Sequence, residues 1–208
     1  MNNELEWWTG EGGDSYMRRN DWTTSELARR VESWDKVFCH LVPLPKTIME
    51  IGPGPGINLR VLNYGCPEAV LYGVEPNSYA RQVLRDTCNY ARIVDGHAGN
   101  ILAEDGSFDL VFTAGVLIHI NPYNLSDAMK EIVRVSRRHV LTIEYFAPKS
   151  EHVIYYGAER IWRNDFGKLY MDMGLKHVAH GFFWKETDGF DSTVWTLLEK
   201  NGPNLTAG

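Results

Sequence analysis

Cysteine is scarce in this chain. Cys39, Cys66 and Cys88 are three in number, far apart and without C-x-x-C spacing, which argues against a disulfide framework or a zinc knuckle. Long apolar runs are missing too. No stretch approaches the roughly 20 residues that span a bilayer, and the opening MNNELEWW is acidic with no apolar centre, so neither a secretory leader nor a membrane partner is expected. A cytoplasmic location follows as the expectation. There is no surplus of positive charge: 21 Lys and Arg stand against 27 Asp and Glu, for a net charge of −6. A protein that grips nucleic acid needs a basic face to neutralise phosphates, so no such partner is expected. Arg18-Arg19 and Arg137-Arg138 are too short to alter this, and the second pair reads as solvated surface charge. Asn204-Leu205-Thr206 matches a glycosylation sequon that carries no meaning in a cytosolic tail.

What is present is ordinary globular composition: 208 residues, 44% hydrophobic and 23% charged, enough for one α/β domain with a real core. No internal repeat or long linker divides it. We read residues 1–208 as a single domain, with an N-terminal cap over 1–40, a core over 46–200 and a flexible tail over 201–208. Residues 1–20 are rich in Trp and Gly and do not read as a clean helix. Residues 23–40 place apolar groups at helical spacing after a Thr/Ser start with Glu26 nearby. Pro43 and Pro45 then break the chain. Beyond them strands alternate with helices: strands over 47–51, 69–75, 91–96, 108–115 and 139–146, helices over 57–65, 78–89 and 124–136. Residues 164–173 read as a further helix. Two late strands, 176–184 and 192–200, are joined by a polar turn and should pair antiparallel. The pattern predicts a doubly wound, mostly parallel, seven-stranded α/β sheet with one antiparallel edge strand.

The sharpest local signal is Met49-Glu50-Ile51-Gly52-Pro53-Gly54-Pro55-Gly56-Ile57-Asn58. A strand runs into alternating glycines and a helix follows. In a doubly wound sheet, ligands sit beyond the carboxyl ends of the strands, and glycine there lets backbone approach them. The G-x-G-x-G spacing of Gly52, Gly54 and Gly56 departs from the G-x-G-x-x-G of dinucleotide sites. Glu75, followed by Pro76 and Asn77, closes the second strand 19 residues after Gly56, where a carboxylate can accept two ribose hydroxyls. After the third strand, Gly96, His97 and Ala98 stand where an adenine edge would lie, with the Ala98 amide as a donor. The fourth strand leads to Thr113, Ala114 and Gly115.

These four segments together resemble the class I S-adenosylmethionine (SAM)-dependent methyltransferases. The match resembles in particular the methylase branch associated with pseudaminic acid biosynthesis. Trp7-Trp8-Thr9-Gly10-Glu11-Gly12-Gly13-Asp14-Ser15-Tyr16 with Arg19-Asn20 looks like that branch's opening. Gly115 to Pro122, Glu144-Tyr145-Phe146, Arg163-Asn164-Asp165-Phe166 and Thr193 to Lys200 are also similar. The resemblance spans about residues 7–200. It implies a Rossmann-like class I fold with an N-terminal helical lid. It also implies SAM as cofactor, with S-adenosylhomocysteine as product, bound by Glu50, Gly52, Gly54, Gly56, Asn58, Glu75, Pro76, Asn77, Gly96, His97, Ala98, Thr113, Ala114 and Gly115. Tyr16 and Arg19 would close over it, Arg19 pairing with the methionine carboxylate.

Methyl transfer is an in-line displacement that gains from a positioned base. His119, just beyond the fourth strand, is the first candidate, since histidine titrates near neutrality; it equally suits a residue packing the loop before Pro122. Glu144, late in the fifth strand, either orients the acceptor or acts as base, or is a buried carboxylate that pins neighbouring loops. Tyr145, on the opposite face from Glu144, reads as structural. Trp7 and Trp8 should cover something. Arg160, Trp162 and Arg163 sit in an insertion that could shape the acceptor site, or merely pack on the surface. Asn121-Pro122 reads as a turn and cap for the 124–136 helix. Asp109, His119 and Glu144 have no metal-ligand spacing, and no metal is expected. The predicted acceptor is a small molecule: a sugar, sugar nucleotide or glycan end. A small amine or amino acid is the alternative, and a SAM-binding module without turnover is a third reading.

Overall fold

The computed structural model describes residues 3–20, 22–155 and 159–201, with the side chains of Asn3, Tyr155, Glu159 and Arg160 outside that description. The tail beyond residue 201 also lies outside it.

Seven strands form one sheet: β1 (Thr47–Ile51), β2 (Val70–Glu75), β3 (Ala91–Asp95), β4 (Phe108–Ala114), β5 (Ser136–Glu144), β8 (Lys176–Phe183) and β9 (Thr193–Glu199). Their order across the sheet is β3-β2-β1-β4-β5-β9-β8. The first five are parallel, and β9 runs antiparallel to both β5 and β8. The single antiparallel strand therefore sits one place in from the edge, with β8 outside it. All seven predicted strands are in this sheet. Strand order reverses between β1 and β4, which opens a crevice at their carboxyl ends where such sheets bind ligands.

Helices cover both faces. On one side lie α3 (Thr24–Phe38), α4 (Ile57–Gly65) and α5 (Ser78–Thr87); on the other lie α6 (Pro122–Val135) and α7 (Phe166–Asp172). The start of α3 is a capping box: Thr23 Oγ1 accepts from Glu26 N–H and Glu26 Oε2 accepts from Thr23 N–H. Its inner face buries Ser33, Trp34 and Val37, with the Trp34 ring edge-on to Phe112 of β4 at 5.1 Å. Removing that indole would cost about 3–5 kcal/mol. Asn121 caps α6 by accepting from Tyr123 N–H at 3.1 Å, with Pro122 at the first helical position.

Residues 3–19, which do not read as a helix in sequence, form two: α1 (Asn3–Thr9) and α2 (Glu11–Arg19). Packing overrides the poor propensity of the glycines. The two helices approach so closely that a Cβ on Gly12 would lie 2.3 Å from the Trp7 indole, and one on Gly13 would lie 2.0 Å from the Trp8 carbonyl. A second unpredicted feature is the hairpin of β6 (Glu151–Tyr155) and β7 (Glu159–Arg163), separate from the main sheet. The polar 186–191 turn contains a short helix, α8 (Lys185–Asp188). Asp188 anchors it to α3: its carboxylate takes the Lys36 ammonium, Ser33 Oγ, Trp184 N–H and Thr187 Oγ1. Burial alone would raise its pKa, but these donors together hold it down to about 2. Arg137 and Arg138 pair with Asp109 and Glu199 at the opposite end of the sheet from the crevice.

Candidate active site

A cavity of about 1180 Å³ opens over the carboxyl ends of β1, β2 and β4. Its first wall is the loop after β1. Gly52 adopts φ 65°, where a side chain is strained, and a Cβ there would also meet Val116 Cγ2 at 2.8 Å. Its N–H donates to Val74 O at 2.8 Å, prolonging the β1–β2 ladder. Two buried carboxylates end on this wall. Glu50, 1% exposed, accepts from Asn58 Nδ2 at 2.7 Å, and its Oε2 has no partner among the described residues. Glu75, 7% exposed, accepts from Asn77 N–H at 3.0 Å. Burial raises both pKa values to about 7, because an apolar surround penalises the charged form.

The opposite wall is the turn after β4. Gly115, Val116, Ile118, His119 and Ile120 all line the cavity. His119 ends a 3-10 turn, Leu117–His119, and its ring meets the Trp8 indole edge-on at 4.8 Å. Burial lowers its pKa to about 4, so the imidazole is neutral at physiological pH.

The N-terminal helices roof the cavity. Glu4, Leu5 and Trp8 of α1, Gly13, Tyr16, Met17 and Arg19 of α2, and Arg29 and Arg30 of α3 line it. Asn77 fastens this roof to the cofactor-side wall, its Nδ2 donating to Trp8 O at 3.0 Å and Asp14 Oδ1 at 2.8 Å. On the other side Asn121 Nδ2 donates to Glu4 Oε1 at 3.2 Å. Arg30 closes the back corner. It donates to Gly189 O at 2.9 Å and Asn58 Oδ1 at 3.1 Å, with its guanidinium 3.9 Å over the Phe190 ring. Burial lowers its pKa to about 10. This chain of contacts links residues up to 159 positions apart, so no local motif could reveal Arg29, Arg30, Phe190 or Asp191 as cavity residues.

Most of the sequence-predicted site residues meet here: Tyr16, Arg19, Glu50, Gly52, Gly54, Asn58, Glu75, Pro76, Asn77, His97, Ala98, Ala114, Gly115 and His119 all line the cavity. His97 folds a tight turn, its Nδ1 accepting from Gly99 N–H at 3.2 Å. Four others do not line it. Gly56 caps α4 with φ 81°, and its missing Cβ makes room for Cys88 Sγ and Leu84; its role is packing. Gly96 clears the Asn100 carbonyl and Val74. Thr113 is buried within β4, beside Thr142 of β5. Glu144 also faces away: 2% exposed, its Oε1 accepts from Val116 and Leu117 N–H, both at 3.1 Å. Ile143 of β5 lines the cavity instead, and so does Tyr145, just past the end of the strand. Tyr145, read as structural, is a cavity residue. The predicted Trp162 and Arg163 also lie elsewhere: Trp162 stacks on His152 at 4.9 Å, and Arg163 pairs with Glu151 at 2.8 Å. The Arg160 side chain is outside the described residues. Trp7 is half-buried against α2, not against the cavity.

Residues 49–142 match the family model described as a methyltransferase domain. The matched segment runs from β1 into β5 and takes in the loop and turn that wall the cavity. Solved structures share its fold. A Pyrococcus horikoshii protein aligns with a TM-score of 0.70 at 16% identity, over 90% of this chain and 99% of that one. The 1,6-didemethyltoxoflavin-N1-methyltransferase of Burkholderia thailandensis, solved with its substrate and S-adenosylhomocysteine, gives 0.73 at 14%, over 97% and 92%. The magnesium protoporphyrin IX methyltransferase of Synechocystis PCC 6803, solved with SAM, gives 0.63 at 16%, over 97% and 99%. No curated protein matches the chain in sequence. The cavity's residues suit S-adenosylmethionine. SAM carries a cationic sulfonium, an ammonium and ribose hydroxyls, and the cavity offers two buried carboxylates, one with an unpartnered oxygen, beside Gly52, where a Cβ would meet Val116. Among the described residues no group of three or more His, Cys, Asp or Glu is arranged to hold a metal ion, and no helix is long and apolar enough to cross a membrane.

Proposed function

We propose that this methyltransferase modifies a small-molecule acceptor, with a sugar, sugar nucleotide or glycan end as the leading class, in the cytoplasm and without a metal. The observation that carries this reading is the size and lining of one cavity. At about 1180 Å³ it exceeds the roughly 300–1,000 Å³ of a single-ligand pocket, leaving space for an acceptor beside the cofactor. The space is bounded by aromatic faces, Trp8, Trp22 and Tyr145, and by amide side chains, Asn20, Asn121 and Asn124. That mixture suits a polyhydroxylated ring. The likeness to the pseudaminic acid-associated branch supports the same class.

Bound SAM supplies an electrophilic methyl carbon on a sulfonium. Glu75 would accept the ribose hydroxyls, with Pro76 and Asn77 beside it, and Glu50 with Asn58 would face the amino acid end, where Arg19 would take the carboxylate. His97 and Ala98 would flank the adenine, and Tyr16 with Gly52, Gly54, Ala114 and Gly115 would close the walls. The two N-terminal helices act as a lid that excludes water. His119, held neutral, accepts the acceptor's proton. A hydroxyl becomes strongly acidic only as its oxygen bonds to carbon, so a weak base in the right place is sufficient.

A second reading, methylation of a small amine or amino acid, draws on charge. The cavity lining carries six carboxylates (Glu4, Glu26, Glu50, Glu75, Asp127 and Asp191) against four cations (Arg19, Arg29, Arg30 and Lys185). The experiment is S-adenosylhomocysteine release over a panel of free sugars, nucleotide sugars, short glycans and amino acids. Release with a sugar class is the expected result. Release with amines alone would replace it by the second reading. Silence across the panel, with SAM binding intact, would leave the cofactor site standing and point to an acceptor outside the panel or to a binding module.

A further inference from the structure

The most telling group outside the cavity is Glu144, the last residue of β5, beside Tyr170 of α7. Its Oε1 accepts two consecutive backbone N–H groups, Val116 and Leu117. Those amides open the turn whose other members, Gly115, Ile118 and His119, line the cavity. The turn has other anchors: Leu117 and Ile118 are buried, the His119 ring meets Trp8, and Ile120 N–H donates to Leu117 O at 3.1 Å. Gly115 N–H donates to Ile143 O at 2.9 Å and His119 N–H to Val116 O at 3.0 Å, and the His119 ring makes no hydrogen bond among the described residues.

Behind the carboxylate the sheet is unusually polar. Thr113, Thr142 and Thr196 stand side by side on β4, β5 and β9, all buried. The Thr113 hydroxyl stands beside the carboxylate. Glu144 Oε2, Thr142 Oγ1 and Tyr170 Oη are enclosed without a partner in the protein among the described residues. Thr142 and Glu144 share a small chamber of about 10 Å³ with Asn164 and Thr196, about the space of one water. Burial raises the Glu144 pKa to about 7, while the Val116 and Leu117 amides oppose that rise. A buried carboxyl with this much unsatisfied polarity around it is costly to keep, and a hydrophobic residue would fill the same layer at less cost.

We infer that Glu144 is a positioning residue for methyl transfer: from outside the cavity it fixes the Gly115–His119 turn, and a single water in the chamber behind it bridges its second oxygen to Thr142. It touches neither cofactor nor acceptor and acts through the two amides. The inference rests on the proposed cofactor site, so its test begins with S-adenosylhomocysteine binding to the wild-type protein by calorimetry. No binding there would overturn the functional reading itself. Given binding, two variants are compared. Glu144→Gln keeps an oxygen at the same reach and is expected to hold the affinity within about twofold. Glu144→Asp withdraws the oxygen by one methylene and is expected to weaken binding about tenfold. It should also speed hydrogen exchange at Val116 and Leu117 at least tenfold, with exchange in β1 unchanged. An Asp variant with wild-type affinity and protection overturns the inference. So does a Gln variant as weak as Asp, which would mean that the charge acts directly. The wild-type exchange is a further check that needs no variant: Val116 and Leu117 amides that exchange as fast as exposed loop amides refute the clamp.

Discussion

The two halves of the cavity floor are built differently. The β1–β2 half is local: Glu50, Gly52, Gly54, Glu75 and Asn77 each sit on or just past a strand end, and each could be found in a short segment of sequence. The β4–β5 half is assembled at a distance. His119 stands on a turn whose amides reach Glu144 of β5, and is covered by Trp8 from more than 100 residues upstream. The contrast suggests a division of labour: the first half binds cofactor, and the second carries the acceptor base on a turn whose backbone also borders the cofactor.

The largest effect should test the second half alone. Replacing His119 with Ala should lower turnover by about 10²–10⁴-fold, the usual worth of a general base, with S-adenosylhomocysteine affinity changed by no more than a few-fold; kinetics on the acceptor found by the panel, with calorimetry alongside, measures both. Equal losses in binding and turnover would break the division. Glu75→Ala is the mirror image. It should weaken S-adenosylhomocysteine about 100-fold, since each hydrogen bond to a charged group contributes about 1.5–3 kcal/mol, while the fold persists by circular dichroism.

The next effect is on stability against pH. Folding lowers the His119 pKa from about 6.5 to about 4, so the unfolded chain takes up the proton first. The contribution is full above pH 6.5 and is lost as pH falls toward 4, amounting to about 3 kcal/mol at most. Urea unfolding of the wild type and of His119→Gln across that range should show the variant losing less. The raised carboxyls Glu50, Glu75 and Glu144 act with the opposite sign: their contribution is present below about pH 4.5 and fades as pH rises through 7. Comparing the two proteins at each pH cancels that background. Smallest should be Tyr145→Phe, a few-fold rise in acceptor KM with kcat and cofactor affinity unchanged. No change in KM would remove Tyr145 from the acceptor wall.

Much of this was legible in the chain. The seven strands follow from apolar runs separated by turn residues, and the α3 start from Thr23 and Glu26. The first cofactor wall follows from the alternating glycines and the acid after β2. Other assignments failed for identifiable reasons. Gly56 belongs to the same run as Gly52 and Gly54, yet its absent side chain serves helix packing against Leu84 and Cys88, and no spacing separates the two uses. The helices over residues 3–19 oppose local propensity and exist because two tryptophans and two glycines pack together. Arg30 joins three segments that only the closed fold brings into contact.

By itself the sequence determined the alternation along β5, because strand geometry turns successive side chains to opposite faces. It could not say where the strand stops, and the reading put Glu144 at the site and Tyr145 in the structure. Only the tertiary structure decided that β5 ends at Glu144, that Glu144 lies outside the cavity and that Tyr145, beyond the strand, lines it. The N-terminal helices roof the carboxyl ends of the strands while α7 packs on β5 and β9, and where each layer lands is a property of the whole packed chain.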